Sequence, residues 1–312
     1  MKKRFDVPIL LIIFNRPETT REVFEKIRII KPKVLYIAAD GPRKNRESDT
    51  IKCNEAREVT EKIDWKCHIK RLYRKDNLGC GRAVSGALNW FFKNVENGII
   101  LEDDCLADES FFEFSETMLQ KYKKYADVMH ISGDNFFDQS QKNKNSYLMS
   151  SYPHVWGWAT WRRAWNKYDF KIKKWSGKNL IQKIKSIRGN LWNKFYWTAM
   201  FDSVLYKAND TWDFQWVYAM MENNGLSIFP GVNLVTNIGF GASSTHTSSA
   251  TSYLANLKRF SLNDDVSLNN RMNVHQVDLL EQKSVFKVKS LKTIIYFLYF
   301  SIICKLINYA KK

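Results

Sequence analysis

Gly98-Ile99-Ile100-Leu101-Glu102-Asp103-Asp104-Cys105 takes the chain from a short apolar run directly into three consecutive carboxylates. An apolar run without polar alternation suits a strand buried on both faces, as in a parallel sheet covered by helices. Acids that follow such a strand fall at the edge where open α/β sheets bind ligands. Upstream residues repeat the pattern. Val7 to Phe14 is a second apolar, β-branched run, and Pro17 after it can open a helix carrying Val23, Phe24, Ile27 and Ile30 at helical spacing. A strand over Val34 to Ala39 ends in the turn Asp40-Gly41-Pro42. A helix from Asp49 to Ile63, a strand from Ile69 to Tyr73, the loop Asp76 to Gly81 and a helix from Arg82 to Asn94 lead back to Gly98. This alternation implies an α/β, Rossmann-like fold with a mostly parallel central sheet and right-handed crossovers.

Beyond Asp108 the pattern is mixed: a helix through Tyr125, a strand over Val128 to Ser132, and an aromatic stretch from Tyr152 to Trp165. No linker or repeat separates the parts. Three parts are expected: residues 1–150 as a first half, 151–280 as a second half packed on it, and 281–312 as a tail. At 312 residues, 45% hydrophobic and 14% aromatic, the chain can bury a sizeable core.

The net charge of +17 is concentrated. Arg162 to Arg188 holds ten Lys and Arg against Asp169, and Glu281 to Lys312 holds seven Lys against Glu281, so the rest is nearly neutral. Two local basic surfaces, or two solvated faces, describe this better than a continuous nucleic-acid groove. The five cysteines form no CxxC pair and have no nearby set of histidine ligands, which points to reduced thiols rather than a zinc site or disulfide framework. Lys2-Lys3-Arg4 and Ile9 to Phe14 imitate a signal peptide, but Asp6 and Pro8 interrupt the approach and Asn15-Arg16-Pro17 replaces a cleavage site. A cytoplasmic protein is expected.

Glu102, Asp103 and Asp104 suit one chemistry in particular. A diphosphate leaving group needs neutralisation, and Mn²⁺ or Mg²⁺ held by one or two carboxylates plus phosphate oxygens supplies it.

ILEDDCLADESFFEF at residues 100–114, with PILLIIFNRPETTREVF, AADGPR, NLGCGRAVSGALNWFF, GWATW and TWDFQW in order, resembles the GT-A-fold glycosyltransferases related to N-acetylglucosaminyltransferase I. The similarity runs from about Val7 to about Gly241. It implies a GT-A nucleotide-diphospho-sugar transferase fold and a bacterial relative that makes surface polysaccharide or glycoconjugates. It also implies metal-dependent, inverting transfer from a UDP-sugar to a hydroxyl of a glycan or lipid-linked glycan. By the resemblance Arg16 and Asp40 would contact the nucleotide, Asp103 the ribose and Asp104 the metal. Glu102 would face the donor sugar and Arg82 the diphosphate. An inverting transfer needs a base, and Asp213 matches the family's acid after a tryptophan. The family has Trp-Asp-Asp-Trp where this chain has Trp212-Asp213-Phe214-Gln215-Trp216, so Asp202 and Asp210 stay in contention.

Trp156 and Trp158, on either side of Gly157, are candidates to line a sugar site, because flat rings stack on sugar faces. His154 reads as a hydrogen-bonded structural residue, whereas His246, in the Ser/Thr-rich loop Gly241 to Ser249, could close over the diphosphate. Leu291 to Tyr309 is apolar and flanked by lysines, yet too short and too interrupted by Lys305 to span a bilayer. Two readings stay open: an amphipathic helix on the anionic inner face of the cell membrane, or a helix docked on the core. Rival functions are a retaining transferase or nucleotidyltransferase on the same fold, and a non-enzymatic binder of anionic polymers.

Overall fold

The computed structural model describes residues 5–137, 146–240, 257–262, 269–270, 273–286, 291–303 and 306. The chain opens with β1 (Ile9–Ile13), α1 (Pro17–Ile30), β2 (Val34–Ala39), α2 (Glu47–Val59), β3 (His68–Tyr73), α3 (Cys80–Asn94) and β4 (Asn97–Glu102). Then follow β5 (Cys105–Ala107), α4 (Glu109–Lys121), β6 (Val128–Ser132), β7 (Ser146–Ser150), β8 (Trp158–Trp161), α5 (Arg162–Trp165), α6 (Lys173–Ser176), α7 (Leu180–Ser186) and α8 (Leu191–Leu205). The remaining elements are α9 (Asp213–Glu222), β9 (Leu226–Pro230), β10 (Val235–Asn237), β11 (Asn269–Asn270), α10 (Val274–Leu280), a π-helical turn over Glu281–Val285, α11 (Leu291–Leu298) and a second π-helical turn over Tyr299–Ile303.

The α/β expectation holds. The main sheet has nine strands in the order β11-β7-β9-β6-β8-β4-β1-β2-β3, and β4, β1, β2 and β3 run parallel. All five residues of β1 are buried, as continuous apolar strands require when helices cover both faces. Each such aliphatic side chain contributes about 1.5–3 kcal/mol by leaving water. Pro17 occupies the first turn of α1, where its missing N–H costs no bond, and Val23, Phe24 and Ile27 face the core.

Beyond β4 the sheet departs from simple alternation. β8 inserts antiparallel between β4 and β6, pairing Ile99 with Ala159 on one side and Ile131 with Ala159 on the other. A separate two-stranded sheet pairs β5 with β10, Cys105 opposite Asn237. It begins one residue after the acidic triplet and so fixes what lies against it.

The C-terminal segment is built onto α8. Phe297 of α11 lies 4.6 Å from Phe195 between ring centroids, and Thr293 is buried. Docking on the core thus accounts for one face of α11, while Leu291 and Ile295 on the rest stay exposed. Among the described residues no helix is long and apolar enough to cross a membrane.

Candidate active site

Glu102 ends β4 opposite Ile12 of β1, and Asp103 and Asp104 form the turn into β5. The Phe14 N–H, at the end of β1, donates to Asp103 Oδ2 at 2.9 Å. Arg16, held at the entrance to α1, places Nη1 2.6 Å from Asp104 Oδ2 and 3.5 Å from Asp103 Oδ1. Burial, then the neighbouring carboxylates, push Glu102 up to about 8 and Asp103 up to about 7; the Arg16 guanidinium opposes this without offsetting it. Three acids share one partly buried guanidinium, so the cluster suits a hard divalent cation. Among the described residues no group of three or more His, Cys, Asp or Glu forms a ready-made cage. A cation placed there would have to take much of its oxygen shell from phosphate or water.

The β5–β10 pair brings a residue against Asp104 that the sequence did not single out. Ile238 N–H donates to the Asp104 carbonyl at 2.9 Å, and the next residue is Gly239. A Cβ there would lie 2.1 Å from Asp104 Oδ2, so only glycine fits. Phe240 follows, 5.5 Å from the half-buried Trp156, whose ring meets Phe136 at 4.9 Å. A short aromatic wall thus adjoins the acidic turn.

The three candidate bases fall in different surroundings. Asp202 is buried, accepting from Lys183 Nζ at 2.6 Å and Trp175 Nε1 at 2.9 Å, which makes it a packing residue. Asp210 reaches the amide end of α3, where its Oδ1 accepts from Gly81 N–H at 3.1 Å. Gly79, at φ +79°, lets the chain turn beneath that carboxylate, and a Cβ there would sit 2.4 Å from it. Asp213 is the first residue of α9. Its Oδ1 accepts from Phe214 N–H at 2.9 Å and from the Thr211 hydroxyl, and its charge helps raise Glu102, Tyr168 and Tyr196. Asp213 is partly exposed and close enough to Glu102 for its charge to raise that acid, although its carboxylate also holds an amide at the start of α9.

Other expected residues stand as follows. Asp40 is 7% exposed and accepts from Leu78 N–H at 3.0 Å, tying the end of β2 to the glycine-containing loop. Arg82 is exposed on the first turn of α3, whose amide end Asp210 occupies. Trp158 is a correction: its ring is 0% exposed, stacked 4.9 Å from His130 and 5.5 Å from Trp212, so it packs the core and presents no face to a sugar. His246 lies outside the described residues. His154 has a structural setting, between Asp134 at 3.2 Å and Glu281 at 3.0 Å, all three buried.

No family model matches the chain, and no curated protein matches it either. Three solved structures resemble it in part. A UDP-glucose pyrophosphorylase complexed with UDP-glucose is 12% identical, with 46% of this chain and 62% of that one covered and a TM-score of 0.28. The chain thus spans under two thirds of that enzyme's length. An apo UDP-glucose pyrophosphorylase gives 7% identity, 73% and 92% coverage and a TM-score of 0.35. A cytidylyltransferase from Leptospira borgpetersenii gives 7%, 62% and 68%, and 0.29. Overlaps this partial assign no ligand or reaction to the chain.

Proposed function

We propose that the protein is a nucleotide-sugar-using enzyme, and specifically a metal-dependent inverting glycosyltransferase acting from a UDP-sugar on a hydroxyl of a glycan or lipid-linked glycan. The observation that carries the reading is the juxtaposition of an acidic turn at the carboxyl edge of the parallel strands with a separate, partly exposed carboxylate, Asp213, near Glu102. One site for a cation and diphosphate beside one proton acceptor is what inverting transfer needs.

In this reading residues 1–150 bind the nucleotide sugar, residues 151–280 supply the acceptor side and the base, and residues 281–312 reach an anionic inner membrane surface. Asp104 would hold Mn²⁺ or Mg²⁺, which supplies charge neutralisation to the departing diphosphate. Asp103 is turned toward the end of β1, where a ribose would lie, and Glu102 faces the donor sugar. Arg16 exchanges its carboxylate partners for the diphosphate. Asp213 takes the proton of the acceptor hydroxyl as that oxygen bonds to the anomeric carbon and the bond from that carbon to the UDP oxygen breaks. Trp156 offers a ring face to a sugar.

Asp213→Asn tests the assignment. The amide keeps shape and removes basicity, so UDP binding in Mn²⁺ should persist while turnover, including slow hydrolysis of the donor, falls about 10²–10⁴-fold. Near-wild-type turnover in Asp213→Asn with loss in Asp210→Asn would move the base to Asp210. The nucleotidyltransferase alternative keeps the acidic turn but leaves Asp213 without a role, and the same variant separates the two.

A further inference from the structure

The two basic segments, 162–188 and 281–312, are distant in sequence, but α8 supports both. α7, from the first segment, and α11, from the second, each pack on α8. Just beyond the first segment, Asn190 Nδ2 in the turn between α7 and α8 donates to Gln282 Oε1 of the π-helical turn at 3.4 Å. Large apolar side chains are exposed throughout this region: Ile181 is 65% exposed, Leu191 57%, Leu291 74% and Ile295 54%. Elsewhere among the described residues, the exposed large apolar side chains are scattered: Ile29, Ile51, Leu78 and Tyr125. Exposed Lys185, Lys283 and Lys292 stand among the apolar residues of the α7 to α11 region.

We propose that α7, the start of α8, and α10 to α11 form one composite surface that seats the protein on an anionic lipid bilayer, so that the tail is only part of the membrane contact. Exposed aliphatics interleaved with lysines match the headgroup boundary, where phosphates take the cations and the acyl edge takes the apolar side chains. A second copy of the chain is a poorer occupant, since a two-fold contact would press the same excess of positive charge against itself. The surface also adjoins the acceptor side. Tyr196 of α8 is half-buried, and its phenol is raised by burial and then by the nearby carboxylate of Asp213. A protein seated on this face holds Asp213 near the membrane, which suits a membrane-borne acceptor; that last step rests on the transferase reading above.

Flotation of the full chain with vesicles of phosphatidylglycerol and phosphatidylcholine, against phosphatidylcholine alone, tests it. Three proteins are compared: wild type, I181E/L191E and I295E, with UDP binding in Mn²⁺ and the thermal midpoint as checks of folding. The wild type should partition onto anionic vesicles and hardly at all onto neutral ones. Each variant should keep UDP binding and partition roughly tenfold or more weakly. Loss in I295E with wild-type partition in I181E/L191E would overturn the composite surface and leave the tail as the anchor. Equal partition of all three, or none by any, would overturn both, without touching the transferase assignment that Asp213→Asn tests. A wild-type dimer in sedimentation that I181E/L191E dissociates would make a second copy the occupant instead.

Discussion

Gly239→Ala should cripple metal-dependent nucleotide binding although glycine 239 carries no functional group. The added Cβ would lie 2.1 Å from Asp104 Oδ2 and 2.8 Å from both Asp104 Cβ and Cγ, whereas ordinary contact begins at 3.4 Å. Rotating the carboxylate does not relieve the clash with Asp104 Cβ, so a backbone must give. The backbone at 239 is restrained by its own N–H, which donates to Asn237 Oδ1 at 2.8 Å. Asp104 must therefore retreat by about 0.6 Å, the difference between 2.8 and 3.4 Å, and a misplacement approaching 1 Å at a reacting centre can cost about 10²-fold. Titration calorimetry with UDP in Mn²⁺ should register a loss of that order, while the weak binding left in chelator stays as in the wild type. Gly177→Ala is the control, since its Cβ would meet nothing nearer than 3.9 Å; it should change neither binding nor stability beyond about 0.5 kcal/mol. A folded Gly239→Ala protein with undiminished Mn²⁺-dependent UDP affinity would refute the placement of the metal at Asp104.

Asp104→Ala should abolish the dependence of UDP affinity on the divalent cation, which calorimetry with and without chelator reads directly. Asp202→Ala should leave Lys183 buried without its partner and lower stability by about 3–5 kcal/mol in urea, with UDP affinity per folded molecule unchanged. Stability should also fall as the solution turns alkaline. Burial alone would lower the pKa of His154, but the carboxylates of Glu281 and then Asp134 overcome it and raise it to about 10. Burial raises both of these acids, and the charge of His154 opposes that rise. The folded state holds the His154 proton more tightly than the unfolded chain does. Its contribution is complete below about pH 6.5 and is lost as pH rises towards 10, with a slope of at most about 1.4 kcal/mol per pH unit. Denaturant midpoints between pH 6.5 and 9.5 should show the decline and His154→Gln should flatten it; a flat wild-type profile would count against the charged cluster.

The first half of the fold was legible because its information is local. Apolar runs, Pro17 and the Asp40-Gly41-Pro42 turn mark boundaries within a few residues, and the strand over Val128 to Ser132 stands as read. The insertion of β8 between β4 and β6 was not legible, since an antiparallel partner is chosen by long-range packing that a single sequence does not encode. Trp158 was misjudged for the same reason: an exposed and a buried tryptophan beside a glycine look alike until the opposite layer, here His130 and Trp212, is known. The acidic turn could be read from its place after a strand, whereas Gly239 could not. Its importance comes from a contact with Asp104 across more than a hundred residues, and nothing near it in sequence announces a close approach.

The Arg16–Asp104 pair means that the acidic turn never stands bare. A resting protein in which Asp104 is already paired with an internal cation gives little purchase to a stray divalent ion. Only an arrival that brings negative charge of its own can draw the guanidinium away and leave Asp104 open. Metal and nucleotide should therefore enter as a single event rather than in succession, with Mn²⁺ alone scarcely retained and Mn²⁺ with UDP held firmly. On the proposed reading Arg16 would be a placeholder, and a preference for a loaded nucleotide over a free ion would reside in what it takes to dislodge it.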